Sequence, residues 1–129
     1  MIALSSLVTL KLNSDFRRVY GRGKSRADAL LVTYALRNRL GICRYGITTS
    51  KKIGSAVERN RCRRIIRAAY RELAPSCRGG WDLVFVARVR TKQSGSPQIQ
   101  NSMRRQLSAL GVIRESENRS PATENNRKL

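Results

Sequence analysis

A stretch in the middle of the chain combines a strong helix signal with a high density of arginine. Ser55, followed three residues later by Glu58, forms a capping box, and we predict a helix over residues 56–73 behind it. Apolar residues recur at helical spacing along one face of that helix, and arginines occupy the other face. The chain must therefore bury one face of this helix in a core while the opposite face carries a dense positive charge.

The polar face of the predicted helix is almost purely cationic. Arg59, Arg63 and Arg67 are spaced at i, i+4 and i+8, so their guanidinium groups form one stripe with no acidic residue between them. Like charges at this spacing repel each other unless a partner neutralises them. Because a guanidinium binds phosphate through a planar fork and stacks on bases, the face predicts contact with RNA. The alternative is a solvated basic face that has no partner.

The charge of the whole chain supports a polyanionic partner. Its 129 residues include 27 Lys+Arg and 8 Asp+Glu, which leaves a formal net charge of +19. A folded domain tolerates such self-repulsion most easily beside nucleic acid, although a membrane-surface protein or an unusually soluble basic domain is also compatible. No stretch approaches the ~18 consecutive apolar residues of a membrane span. The first ten residues lack a secretory-signal pattern, so we expect a cytoplasmic protein without membrane contact.

The residues that commonly perform chemistry are scarce. Cys43, Cys62 and Cys77 are odd in number and widely spaced, and the chain has no histidine, which argues against a disulfide framework and a zinc site. No pair of carboxylates has the spacing typical of acid–base or two-metal catalysis. We therefore predict no catalytic residue and no metal site within the protein itself.

Other patterned segments flank the arginine-rich helix. A short helix is predicted over residues 13–20, capped by Asn13 or Ser14 and ended by Gly21. The segments 29–36 and 42–50 are predicted strands, and the short connection between them indicates an antiparallel hairpin.

The last part of the chain predicts one strand, one helix and a tail. An almost unbroken apolar run from Trp81 indicates a central strand, and Ser96 followed by Pro97 starts a helix to Leu110. We expect a single domain over residues 1–113. The polar tail, 114–129, is expected to be disordered.

Several segments together resemble the bacterial ribonuclease P protein family. The segment KKIGSAVERNRCRRIIRAAYRE, residues 51–72, is similar to a family signature that centres on Arg-Asn-Arg, here Arg59-Asn60-Arg61. DFRRVYGRG from Asp15, the strand that contains Tyr34, GITTSKK and WDLVFVAR follow the family's order and spacing. The resemblance covers roughly residues 11–110.

The resemblance implies an α+β fold of the ribosomal protein S5 domain 2-like type. This is a single small domain in which a mainly antiparallel sheet of about three or four strands packs with about three helices. It also implies a left-handed βαβ crossover through the arginine-rich helix. Periodicity alone does not predict that handedness, which runs against the right-handed rule for such units.

The resemblance further implies a function. The protein subunit of ribonuclease P binds the catalytic RNA and the 5′ leader of precursor tRNA, and promotes Mg²⁺-dependent endonucleolytic removal of the leader. The RNA subunit performs the catalysis and holds most of the Mg²⁺, no organic cofactor is involved, and a monomeric protein forms a one-to-one complex with the RNA. The residues implied to contact the catalytic RNA are Lys51, Lys52, Arg59, Asn60, Arg61, Arg63, Arg64 and Arg67. The residues implied to bind the leader are Phe16, Arg17, Tyr20 and Tyr34, with Arg18 as a further phosphate contact.

Three other functions stay open at this point. A basic ribosomal or RNA-assembly protein would also carry an arginine-rich helix, but would not need an aromatic cleft. A DNA-binding regulator would need a support helix before the arginine-rich one. A protein-only nuclease would cleave without any RNA subunit. Each aromatic residue of the implied cleft has a competing interpretation as ordinary core packing.

Overall fold

The computed structural model describes residues 7–113, so the predicted tail lies outside the described residues. The elements, in chain order, are β1 Val8–Thr9, α1 Asn13–Arg22, β2 Lys24–Ala27, β3 Leu31–Arg37, β4 Arg44–Thr48, α2 Ala56–Leu73, β5 Trp81–Ala87 and α3 Ser96–Ala109. Short 3-10 turns lie at Lys51–Ile53, Ala74–Ser76 and Val89–Gln93. No helix in this part of the chain is long and apolar enough to cross a membrane.

The strands form one mixed sheet in the order β1-β4-β5-β3-β2. The pairings β1–β4 and β4–β5 are parallel, and β5–β3 and β3–β2 are antiparallel. The predicted α+β fold is confirmed, with two short strands beyond the three predicted from the sequence. Neither has a strand-like apolar pattern: β1 has only two residues, and all four residues of β2 are exposed. Their pairing comes from contact with longer neighbours.

The predicted central position of β5 is confirmed. The predicted antiparallel hairpin between the segments 29–36 and 42–50 is wrong. β3 and β4 are not neighbours, because β5 lies between them and pairs with both. β5 is apolar on both faces, with Leu83, Val84 and Phe85 fully buried. A strand of this kind is most stable between two others, where both faces and both edges are covered.

The arginine-rich helix has the predicted bounds and the predicted capping box. The Glu58 N–H donates to Ser55 Oγ at 3.2 Å, and the Ser55 N–H donates to Glu58 Oε1 at 2.9 Å. Because α2 connects the parallel neighbours β4 and β5, the three elements form a βαβ unit. The left-handedness implied for this crossover stays a prediction.

Other element ends differ slightly from the predictions. Helix α1 continues through Gly21 to Arg22, and the Gly23 N–H donates to the Val19 carbonyl at 2.9 Å. Strand β3 begins only at Leu31, because the Asp28 carboxylate accepts hydrogen bonds from the backbone N–H groups at positions 30 and 31 and holds them in a turn. Helix α3 is capped by Gly95 rather than by Ser96.

Helices cover the two faces of the sheet unequally. α2 and α3 pack on one face over the main core, which contains Cys62, Ile66, Phe85 and Leu107. Helix α1 packs on the other face over a smaller cluster centred on Leu10, Val19 and Val84. A single short helix does not cover that whole face, and the remaining surface is the origin of the clefts described next.

Candidate nucleic-acid interface

The three aromatic residues implied for the cleft lie together between α1 and the sheet. The rings of Tyr20 and Tyr34 meet edge to face with centroids 4.9 Å apart at 84°. The Tyr20 hydroxyl is hydrogen-bonded to Thr48 Oγ1 at 2.6 Å, and 37% of Tyr20 is exposed. Phe16 and Tyr34 also pack against the smaller core, so the core-packing interpretation is partly right for both. We call Phe16, Tyr20 and Tyr34 the aromatic cleft.

Phe16 is positioned by a glycine in β4. Gly46 is buried, and a Cβ atom at this position would overlap the Phe16 ring. The tip of the Phe16 ring therefore lies directly against the bare backbone of β4 at Gly46. Sequence reasoning did not single out Gly46, although a glycine inside a strand can mark such a close approach.

We expect Gly46→Ala to displace the Phe16 ring and to weaken binding of single-stranded RNA about tenfold, because base–aromatic stacking depends on the ring's position. Overpacking should also lower the free energy of unfolding by about 1–3 kcal/mol. Fluorescence anisotropy of a labelled oligoribonucleotide measures the first effect, and urea unfolding the second. Gly21→Ala is the matched control, because a Cβ there meets no atom within 4 Å. If the two variants bound RNA with equal affinity, the position of the Phe16 ring would not matter for RNA binding.

The arginine-rich helix reaches the aromatic cleft at the edge of β4. A cavity of about 340 Å³ is lined by Phe16, Tyr20 and Arg63 together with residues 47–49. A second cavity of about 160 Å³ beside it is lined by Phe16, Arg63 and Arg67 among others. The edge is accessible because β1 pairs only with the first two residues of β4. Phe16 and Arg63 thus line both cavities, although the family resemblance implies that Phe16 binds the leader and Arg63 binds the catalytic RNA.

Some guanidinium groups of α2 are hydrogen-bonded to the backbone of the protein, whereas others have no backbone partner among the described residues. Arg59 and Arg61 donate to backbone carbonyls, at 2.8 Å to Gly54 and at 3.1 Å to Lys92, and so help to fix the turns around the helix. Arg63 donates only to the side chain of Asn60, at 3.3 Å. The positions that are exposed to solvent are Lys51, Lys52, Asn60, Arg61, Arg64 and Arg67. Within residues 7–113, no arginine of this helix takes part in an ion pair.

A third cavity, of about 510 Å³, extends the open side of the sheet beyond the aromatic cleft. Lys52 lines it together with Arg88 and Arg90, and Val32 and Val86 contribute apolar surface. Sequence reasoning did not single out the two arginines. The sequence contains a signal for them, since Arg88 directly follows the apolar strand β5 and Arg90 lies in the turn after it.

Arg18, for which a phosphate contact is a prediction, forms ion pairs with two carboxylates of the protein. Its guanidinium lies 2.9 Å from Asp82 and 3.3 Å from Asp15. Asp82 is fully buried, and it also accepts hydrogen bonds from Arg44 at 2.8 and 2.9 Å and from Asn38 at 2.7 Å. Burial by itself would raise the pKa of Asp82, but these donors outweigh it and hold the pKa below its ordinary value. Arg17, by contrast, is exposed beside the cleft.

The acidic and cysteine side chains of the described residues are mostly engaged in ion pairs or buried. They contain no group of three or more His, Cys, Asp or Glu side chains arranged to hold a metal ion. Asp15 and Asp82 are engaged by arginines, and Glu58 is paired with Lys92 at 3.4 Å. The three cysteines are free thiols, and burial raises the pKa of Cys62 and raises that of Cys77 to about 12. Such thiols stay protonated at neutral pH and are poor nucleophiles.

Comparison with known proteins identifies the family to which the chain belongs. A family model described as Ribonuclease P matches residues 4–111. The chain is 46% identical to the ribonuclease P protein component of Clostridioides difficile (strain 630) over 96 residues, which cover 74% of this chain and 84% of the relative. It is 39% identical to that of Clostridium botulinum (strain Loch Maree / Type A3) over 104 residues, covering 80% and 94%. The solved structure of the Staphylococcus aureus RNase P protein is similar with a TM-score of 0.73 and 35% identity, covering 81% of this chain and 96% of the other.

Proposed function

Because the chain belongs to the ribonuclease P protein family, the protein subunits of the endoribonuclease that matures the 5′ end of tRNA, we propose how its surfaces divide that task. The aromatic cleft binds the single-stranded 5′ leader of precursor tRNA, and the exposed face of α2 binds the catalytic RNA. One observation carries this proposal: Phe16 and Arg63 line the same cavities at the open edge of β4. Aromatic faces beside guanidinium groups suit a flexible strand that has both bases and phosphates.

The leader would be held mainly by stacking. An unpaired base on an aromatic side chain contributes about 1–3 kcal/mol with little dependence on sequence, which suits a leader whose sequence varies. Phe16 and Tyr20 supply the stacking surfaces, Tyr34 supports Tyr20, and the exposed Arg17 supplies a phosphate contact. From the cleft, the strand would continue along the cavity lined by Lys52, Arg88 and Arg90. This direction keeps it on the sheet face that α1 leaves uncovered.

The catalytic RNA would be held mainly by charge. The contacting residues proposed are Lys51, Lys52, Arg59, Asn60, Arg61, Arg63, Arg64 and Arg67. Of these, Arg64 and Arg67 are exposed and form no hydrogen bond or ion pair within residues 7–113, so their guanidinium groups are available for phosphate. Each neutralised phosphate releases condensed counterions, so binding should weaken steeply with salt.

The chemical step would belong to the RNA. In this proposal the RNA would hold most of the Mg²⁺ that cleavage requires, and the protein would provide no metal ligand and no organic cofactor. The protein contributes substrate affinity and screens repulsion between two polyanions. We further propose that one monomeric protein binds one RNA, and that the complex works in the cytoplasm, where precursor tRNA is made.

Cleavage of a precursor tRNA at low Mg²⁺ tests this function. The samples are ribonuclease P RNA alone, this protein alone, both together, and both together with mature tRNA as competitor. We expect efficient removal of the 5′ leader only when RNA and protein are both present. Cleavage by the protein alone would identify a nuclease in its own right. If the protein did not change cleavage by the RNA, the alternative of a basic ribosomal or RNA-assembly protein would be favoured.

A further inference from the structure

A fourth cavity lies apart from the surfaces described above and shares no lining residue with them. It has a volume of about 250 Å³, and its position is the edge of β3 beyond the point where β2 begins to pair. The residues that line it are Arg22, Lys24, Ala35, Leu36, Arg37, Trp81 and Leu110. We call it the Trp81 slot. It is formed by the C-terminal ends of α1 and α3 with the adjoining ends of β3 and β5.

The walls of the Trp81 slot combine two kinds of chemistry. Leu36, Trp81 and Leu110 give it apolar surface, whereas Arg22, Lys24 and Arg37 give it three positive charges. The Arg37 guanidinium lies over the Trp81 ring, 5.2 Å from its centroid. No carboxylate lines the slot. Structural charges are usually balanced nearby, so this combination favours a ligand that has both a flat apolar part and an anionic part.

We propose that the Trp81 slot binds one unpaired nucleotide of RNA. The base lies against Leu36, Leu110 and the indole. The phosphate lies between the cationic side chains of Arg22 and Lys24. A nucleotide matches both the apolar lining and the positive charges of the slot, whereas a free inorganic anion matches only the charges and an apolar peptide matches only the apolar lining. The slot is thus an RNA contact additional to the leader cleft and the α2 face.

The single tryptophan of the chain reports directly on this slot. The full-length protein is titrated with an unstructured oligoribonucleotide, with the catalytic RNA and with inorganic phosphate, and the tryptophan emission is followed at matched ionic strength. We expect saturable quenching by RNA and none by phosphate. Quenching by the short oligonucleotide as well as the catalytic RNA would assign the slot to any unpaired strand. Quenching by the catalytic RNA alone would assign it to that subunit.

Two variants separate the slot from the other RNA contacts. Arg22→Gln combined with Lys24→Gln should raise the RNA concentration for half-maximal quenching about tenfold, because two phosphate contacts are lost. Arg105→Gln with Arg104→Gln removes the same charge from α3 outside the slot and should change it less than about threefold.

Three results would overturn the proposal. One is unchanged tryptophan emission when anisotropy shows that the RNA is bound, and another is equal loss of quenching in the slot variant and the α3 variant. The third is quenching by phosphate equal to that by RNA, which would indicate an anion site only. Leader cleavage in the four-sample assay is measured separately, so failure of the slot and failure of the proposed function are distinguishable.

Discussion

Asp82→Asn should destabilise the protein by about 3 kcal/mol, the largest stability loss that we expect from a single polar substitution here. The buried carboxylate accepts hydrogen bonds from Arg18, Asn38 and Arg44, which connects α1, the end of β3 and β4 through the central strand. Asparagine keeps the shape but removes the charge, so two guanidinium groups lose their counterion and an amide N–H₂ faces donors. Urea unfolding at neutral pH measures the loss.

The same carboxylate should make stability dependent on acid pH. Because the folded state holds the pKa of Asp82 below its ordinary value, the unfolded chain binds the proton more readily. The stabilisation is therefore fully present above the ordinary Asp pKa of about 3.9 and is lost as pH falls through the lower folded value. We expect Asp82→Asn to flatten the acid limb of the stability curve.

Glu72→Gln is the charge-matched control for this prediction. Glu72 is exposed on α2 and takes part in no ion pair within the described part of the chain. A surface substitution of this kind should change the free energy of unfolding by less than about 0.5 kcal/mol. If Asp82→Asn has an effect as small as this, the buried network does not hold α1 against the sheet.

Phe16→Leu and Arg64→Gln should affect different binding steps, and this contrast is the largest functional effect that we expect. Phe16→Leu removes the stacking surface but keeps apolar packing, so it should weaken leader capture by about 1–3 kcal/mol and leave affinity for the catalytic RNA unchanged. Arg64→Gln should weaken binding of the catalytic RNA and lower its salt slope by about one. Titrations of precursor tRNA and of catalytic RNA at several salt concentrations separate the two steps.

Arg63→Gln should weaken both steps, because Arg63 lines the same cavities as Phe16 while it lies on the arginine stripe. Precursor tRNA without a leader is the matched substrate, since Phe16→Leu should have no effect on its binding. The two-surface arrangement would be wrong if Phe16→Leu and Arg64→Gln changed both affinities equally. If Arg63→Gln weakened only binding of the catalytic RNA, as Arg64→Gln is expected to do, Arg63 would have no part in binding the leader.

The sequence by itself determined the local features of this protein. The bounds of α2 follow from the Ser55–Glu58 capping box and a sustained helical period, which are local interactions. The alternation in β3 puts Leu31, Thr33 and Ala35 on one face of the strand, and the structure shows that this is the buried face. The central position of β5 followed from its apolar run, since only a strand covered on both faces can be so apolar. The net charge and the arginine spacing indicated a polyanionic partner, and the motif order indicated the family.

Only the tertiary structure decided which elements meet. The order β1-β4-β5-β3-β2 replaced the expected hairpin, because pairing between strands depends on how a whole sheet covers its faces and edges, which no short segment encodes. The same long-range packing tied Arg18 to Asp82, placed Arg63 beside Phe16, and enclosed Trp81 in a basic slot. A residue's type and spacing predict which contacts it is able to make, but its neighbours in space select among them.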